Sequence, residues 1–234
     1  MKIISTKDNL QILHEDNHII AINKRVGDIV QGDKTGDKPL SDIVKEYIKE
    51  KYNKPGEVFL GVVHRLDRPT TGIVIFARTS KALTRLNELF KNRETQKTYW
   101  AIVKNKPSKT TETLTHYLKR NEKNNTSKAH TNEVPDSKIA SLDYTIIHEL
   151  TNYFALEINL HTGRHHQIRA QLSAIGCPIK GDLKYGFPRS NPDGGISLHA
   201  RKVAFIHPVT KVDVEIVAPP PSDNLWNDFV MLVG

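Results

Sequence analysis

A single cysteine, Cys177, is all the thiol chemistry that the chain offers. No intrachain disulfide can form, and metal sites built from paired or fourfold thiolates are excluded, which suits a reducing cytoplasm. Equally absent is any apolar run long enough to cross a bilayer, so no membrane association is expected. Near the N-terminus, Asp8, Glu15 and Asp16 interrupt the stretch where a secretory signal would place its apolar core, and export is not expected. There is no internal repeat and no low-complexity tract. A phosphate-cradling loop is missing as well. The nearest approach, Gly27 to Thr35, inserts Asp33 between the second glycine and Lys34 and breaks the required spacing.

What is present is positive charge. Lys and Arg number 34 against 26 Asp and Glu, a formal net charge of +8 over 234 residues. Such a balance favours a polyanionic partner, nucleic acid being the commonest. The length suits one catalytic domain, expected to run over residues 1–234.

The pattern of apolar residues predicts runs of strands interrupted by a few helices. Gln11 to Asn23 reads as two strands around Glu15-Asp16-Asn17, and Lys24 to Pro39 as a loop. Ser41 is placed to cap a helix reaching about Lys51, with Ile43, Val44, Tyr47 and Ile48 on one face. Strands are expected at Phe59 to Val63, Gly72 to Ala77, Thr98 to Val103, Tyr153 to Leu160, Leu198 to Ile206 and Val212 to Val217. Further helices are expected from Ser80, with Leu83, Leu86, Leu89 and Phe90 as the apolar stripe, and around Ile168, Leu172 and Ile175, closed by Gly176. Residues from about 107 to 138 are polar and read as an exposed hairpin or insertion. The fold class is therefore α/β of the α+β type, with a mixed, largely antiparallel central sheet flanked by helices.

Two polar clusters interrupt this framework. In His64-Arg65-Leu66-Asp67-Arg68-Pro69-Thr70-Thr71-Gly72 one acid sits between two arginines, whose charges favour its ionised form. A reactive carboxylate, a turn cap and a surface ion pair with Arg65 or Arg68 are all compatible with that spacing. The second cluster, His161-Thr162-Gly163-Arg164-His165-His166-Gln167-Ile168-Arg169, opens a helix with cations. That is electrostatically unfavourable unless they serve an anionic ligand or a buried carboxylate.

Taken together, these segments resemble the RluA-type family of RNA pseudouridine synthases. The family's His-Arg-Leu-Asp, followed by Thr, a small residue, Gly and an apolar strand, is matched from His64 to Ala77, with Thr71 where Ser is usual. Lys97 to Val103, Thr162 to Arg169, Gly181-Asp182 with Tyr185-Gly186, Leu198-His199-Ala200, and Phe205 with His207-Pro208 follow in the family's order. The resemblance implies the pseudouridine synthase catalytic fold and a cofactor-free isomerase acting on tRNA or rRNA. It also implies Asp67 as the catalytic aspartate, Tyr99 as the active-site tyrosine and Arg169 as the partner of the aspartate. Arg65 would enter the RNA in place of the flipped nucleotide, and His64, Arg68, Arg164 and His165 would line the RNA path. No metal site and no obligatory protein partner are implied, and a cytoplasmic monomer is expected. Two departures stand out. The early family motif appears as Asn23-Lys24-Arg25-Val26-Gly27, without its proline and its downstream His-Pro, and no S4 RNA-binding domain is expected ahead of the catalytic region.

Two other classes remain in contention. His161, His165, His166 and His199 could mark a metal-dependent hydrolase, although Arg164 and Arg169 would oppose a divalent cation. A non-catalytic RNA-binding module is the other, although a carboxylate facing phosphates serves no binder.

Overall fold

The computed structural model describes residues 3–33 and 35–233, without the side chains of 232 and 233; Lys34, part of the phosphate-loop comparison, lies outside the described residues. In chain order the elements are β1 (Ile12–Glu15), β2 (Ile19–Lys24), α1 (Leu40–Lys51), β3 (Gly61–Val62), β4 (Thr71–Ala77), α2 (Ser80–Asn92) and β5 (Gln96–Val103). There follow β6 (Thr111–Asn121), β7 (Thr126–His130), β8 (Lys138–Glu149), β9 (Phe154–Leu160), α3 (Gln167–Ala174), a 3₁₀ turn (Leu183–Tyr185), β10 (Leu198–Ile206), β11 (Asp213–Val217) and α4 (Asn224–Val233). The class is the expected mixture of helices with mostly antiparallel strands. The chain forms two compact units, one made of the chain up to Gln96 with Ala200–Pro220, the other of Lys97–His199 with the chain from Pro221 onward.

In the first unit, β2 and β4 are buried at every position and pair antiparallel, from Ile19 opposite Ala77 to Lys24 opposite Gly72. Burial on both faces explains why they read as unbroken apolar runs instead of alternating ones. β1 pairs with β2, β3 with β4, and β11 with β10, while β10 lies beside β4. Ile19, Ala21, Ile73, Ile75 and Ala77 pack with Ala82 and Leu86 of α2 and with Val203, Phe205 and Ile216. Each large aliphatic side chain so buried contributes roughly 1.5–3 kcal/mol.

Two local expectations are corrected. Ser41 is not the cap of α1. Pro39 holds that place in extended conformation, and the N–H groups of Leu40 and Ser41 donate to the carbonyls of Ile29 and Val30, so no side-chain cap is needed. The strand expected from Phe59 is reduced to Gly61–Val62, and Phe59 is left 47% exposed. At Gly61 an added Cβ would stand 2.7 Å from Leu83 of α2, so this is where the chain comes down onto the helix. α2 starts as expected, capped by Thr79, whose hydroxyl accepts the Ala82 N–H at 3.1 Å.

In the second unit the strands run β5, β9, β8, β6, β7, each antiparallel to the next. Leu156 and Ile158 of β9 enter a core with Ala101, Val103, Leu142, Tyr144, Ile168 and Leu172, and Phe154 and Leu160 pack against it. That is the alternating face read from the sequence. The polar stretch supplies the hairpin β6–β7, closed between Asn121 and Thr126. α4 was not foreseen. Asp223 caps it through the Trp226 N–H at 2.9 Å, and Trp226 and Phe229 pack on Trp100, Ile102 and Ala155.

Candidate active site

Within the first unit, the segment between β3 and β4 carries Asp67 in a turn whose main chain is tied down from below. The Asp67 carbonyl accepts the Thr70 N–H at 3.0 Å. Lys24, the last residue of β2, is 1% exposed, and its Nζ donates to the carbonyls of Arg25 at 2.9 Å, Arg68 at 3.1 Å and Thr70 at 2.8 Å. An ammonium has three donors, and these three carbonyls use them. The Gly27 N–H adds a further bond to the Arg68 carbonyl at 2.9 Å. The divergent early motif thus still grips the Asp67 turn. In place of the family's proline, Arg25 donates from Nη1 to Ser5 and Asn9 and from Nη2 to the Asn9 carbonyl.

His64 fixes the entry to the same turn. Its Nε2 accepts the Ile75 N–H at 3.1 Å, which assigns the ring's proton to Nδ1 in the neutral form, and the ring stacks on Phe90 with centroids 4.8 Å apart. His64 was expected along the RNA path; these contacts give it work inside the protein. Gly72 fixes the exit. It has φ of 109°, and an added Cβ would lie 2.4 Å from the Ala200 carbonyl oxygen, so only glycine lets β4 and β10 approach. Asp67 itself is half-buried. Arg68 pairs with Asp37, whereas Arg65 is exposed and makes no hydrogen bond or ion pair among the described residues.

Within the second unit, Tyr99 lies on β5 opposite Ile158 and packs against the core. Arg169, in α3 and 4% exposed, holds Asp182 at two points, Nε to Oδ2 at 2.7 Å and Nη2 to Oδ1 at 2.9 Å. Asp182 is 1% exposed, and the Tyr185 ring lies 4.9 Å from the guanidinium carbon. This bidentate, charge-assisted pair fixes the plane of the guanidinium. The tyrosine hydroxyl is anchored in turn by the Ser127 N–H at 2.7 Å and His166 Nδ1 at 2.9 Å. His166 caps α3 with φ of 51°, an uncommon conformation for a non-glycine residue.

The remaining expected residues of this cluster are drawn into the same web. His165 stacks on His166 at 3.8 Å, with Nδ1 2.9 Å from Ser127 Oγ and Nε2 3.1 Å from Asn125 Oδ1. Arg164 donates from Nε to the Ile139 carbonyl at 3.0 Å, and Gln167 Oε1 accepts from the Thr162 hydroxyl and the Arg164 N–H. Of the histidines weighed as metal ligands, His161 instead faces Asp143 at 2.8 Å and His199 lies against Trp226. Among the described residues no group of three or more His, Cys, Asp or Glu side chains is placed to hold a metal ion.

Sequence reasoning missed two residues. Lys24 stood within the divergent early motif but was given no role, its other signal being a lysine that closes a largely apolar strand. Asp182 stood inside a family-like stretch, but nothing linear joins it to Arg169.

Comparison with known proteins bears on both clusters. A family model described as RNA pseudouridylate synthase matches residues 18–174, a span that contains Asp67, Tyr99 and Arg169. Ribosomal large subunit pseudouridine synthase D of Xylella fastidiosa is 33% identical over 228 residues, covering 92% of this chain and 67% of that protein. The protein of the same name from Yersinia pestis is 32% identical over 232 residues, covering 92% and 68%. Ribosomal large subunit pseudouridine synthase C of Rickettsia bellii is 33% identical over 215 residues, covering 90% and 68%. The fold is that of the solved Human RNA Pseudouridylate Synthase Domain Containing 4, with a TM-score of 0.76 at 23% identity, over 92% of this chain and 90% of that one. By sequence and by fold, the chain belongs to the RNA pseudouridylate synthases of the RluA type, which are isomerases.

Proposed function

We propose that the protein isomerises specific uridines of structured RNA, rRNA or tRNA, to pseudouridine, with Asp67 as the catalytic carboxylate. The observation that carries this reading is the Asp67 turn: an acid flanked by Arg65 and Arg68, its main chain pinned by the buried Lys24, inside the region the family model matches. Relatives named for the ribosomal large subunit favour rRNA as the first substrate to try.

The reaction breaks the bond from ribose C1′ to uracil N1, turns the base and joins C1′ to C5. The C5 proton leaves and N1 gains one, so nothing is added or lost overall. Asp67 acts in its ionised form, either attacking C1′ or removing the 2′ proton. Arg169, held in plane by Asp182, supports the ionised aspartate, and Tyr99 stacks on the uracil. A paired or stacked uridine must first be extruded, at a cost of a few kcal/mol. Arg65, exposed and uncommitted within the protein, offsets part of that cost by occupying the vacated space. Every charge in this scheme resides on protein or RNA, and the enzyme works as a cytoplasmic monomer.

The test is incubation of the purified, exhaustively chelated protein with large-subunit rRNA and tRNA transcripts, followed by mapping of pseudouridine. Conversion of discrete uridines is expected. Absence of conversion in both RNAs, or conversion that zinc must restore, contradicts the reading.

A further inference from the structure

At the end of β4 remote from the Asp67 turn, the first unit has a cavity of about 280 Å³. Ile48 and Val58 supply apolar lining, and the aromatic rings of Tyr52 and Phe59 stand at it, 42% and 47% exposed. Around them are Asn17, Lys54, Glu57 and Arg78. The side chains of Asn17, Lys54 and Glu57 have no partner among the described residues, so their hydrogen-bonding capacity faces outward. Arg78 is already oriented. Its guanidinium lies 4.7 Å from the Tyr52 ring and donates to Glu15 and to the Asp16 carbonyl. The Tyr52 hydroxyl is tied to Glu15 as well, at 2.9 Å.

A rigid arginine–tyrosine stack beside an exposed phenyl ring forms a platform for a flat, unsaturated ring. Asn17 and Glu57 offer acceptors and a donor for the edge of a base, and Lys54 offers a cation for the attached phosphate. Exposed aromatics among cations are how unpaired nucleotides are held without duplex pairing. We propose that this cavity is an auxiliary docking site for one unpaired nucleotide of the RNA substrate, with its base stacked at Phe59 and its phosphate on Lys54. The seven residues of β4 separate it from the Asp67 turn. At ~3.3 Å per strand residue that is roughly 23 Å, or about seven stacked base steps. The site thus holds RNA outside the target loop and selects substrates with an unpaired base at that distance. The proposal rests on the reading of RNA as the substrate.

The test uses the full chain and a single-stranded oligoadenylate hexamer carrying one central 2-aminopurine, which has no uridine for Asp67 to act on. Quenching of the 2-aminopurine is expected on titration with the wild-type protein. Phe59→Ala should weaken binding about tenfold and Phe59→Tyr should keep it. Lys54→Ala should weaken it less and reduce the salt dependence by about one phosphate contact. Melting curves of the exposed-site variants should overlay the wild type. Binding by Phe59→Ala within twofold of wild type overturns the site. Equal competition by oligoglutamate also overturns it, because the pocket would then serve acidic peptides. Pseudouridine formation is measured on the same preparations. If it is absent while quenching still depends on Phe59, the proposed function fails and the site stands; if it is present while binding ignores Phe59, the site fails and the function stands.

Discussion

The two polar clusters are organised by opposite means. Around Asp67 the protein fixes main chain: Lys24 and Gly27 hold carbonyls and Gly72 removes a side chain, while Arg65 projects without a partner among the described residues. Around Arg169 it fixes side chains: Asp182, Tyr185, His166, Ser127 and Gln167 leave little rotational freedom at the start of α3. The first design holds the main chain of a loop still and leaves Arg65 exposed to solvent. The second fixes charge and shape in advance, the preorganisation that the role proposed for Arg169 would draw on. Breaking each should therefore have a different signature.

The largest loss of stability should come from the second cluster. Asp182→Asn removes the charge of the bidentate partner of the buried Arg169 guanidinium, and unfolding experiments should show about 3–5 kcal/mol of destabilisation, with turnover falling alongside. Destabilisation under 1 kcal/mol would mean that the pair is not what holds α3 to the 3₁₀ turn. Next is Lys24→Met, which leaves three carbonyls to find other donors. It should cost about 2 kcal/mol, yet reduce single-turnover pseudouridine formation by a larger factor than fold loss explains, because the freed main chain is that of the Asp67 turn. Equal proportional losses would make Lys24 a support of the unit and not of the turn.

A third experiment asks whether the first unit uses side-chain webs away from its loop. It does so at Asp16, which accepts from His14 and His207 and from the N–H groups of His18 and Ile19. Burial raises its pKa most strongly, but the hydrogen bonds from His14 and the two N–H groups, with the charge of His207, bring it below the ordinary value. A folded-state pKa below the unfolded one stabilises the protein above the unfolded value, near 3.9, and that contribution is lost as pH falls through the folded pKa. The stability advantage of wild type over Asp16→Asn should thus be full above about pH 4 and shrink below it. An advantage that grows on acidification would reverse the assignment. The smallest stability effect belongs to Arg65→Ala, under about 0.5 kcal/mol. Its saturated turnover should fall by more than its RNA affinity, and the opposite split would make Arg65 an ordinary phosphate contact.

The buried strands β2, β4 and β9 were legible because period and composition alone report burial on one face or two. The Asp67 motif was legible because its parts are contiguous. Ser41 looked like a cap because serine is a good one, but the carbonyls of Ile29 and Val30 satisfy the helix start from a distant part of the chain. The roles of Lys24 and Asp182 were hidden for the same reason: each is defined by groups that are neighbours only after folding. α4 went unread although Asp223, Trp226 and Phe229 carry its cap and its apolar face.

The central claim is that Asp67 supplies the reacting carboxylate, and Asp67→Asn tests it most directly. The change keeps the size of the side chain and removes its charge and its nucleophilic or basic oxygen. Pseudouridine formation is measured under single-turnover conditions at saturating RNA, beside a binding titration and a melting curve. The account predicts a folded protein that binds RNA as well as wild type or better, since an anion near phosphates has been removed, and that forms no detectable pseudouridine. A folded, RNA-binding Asp67→Asn protein with near-normal turnover would contradict it.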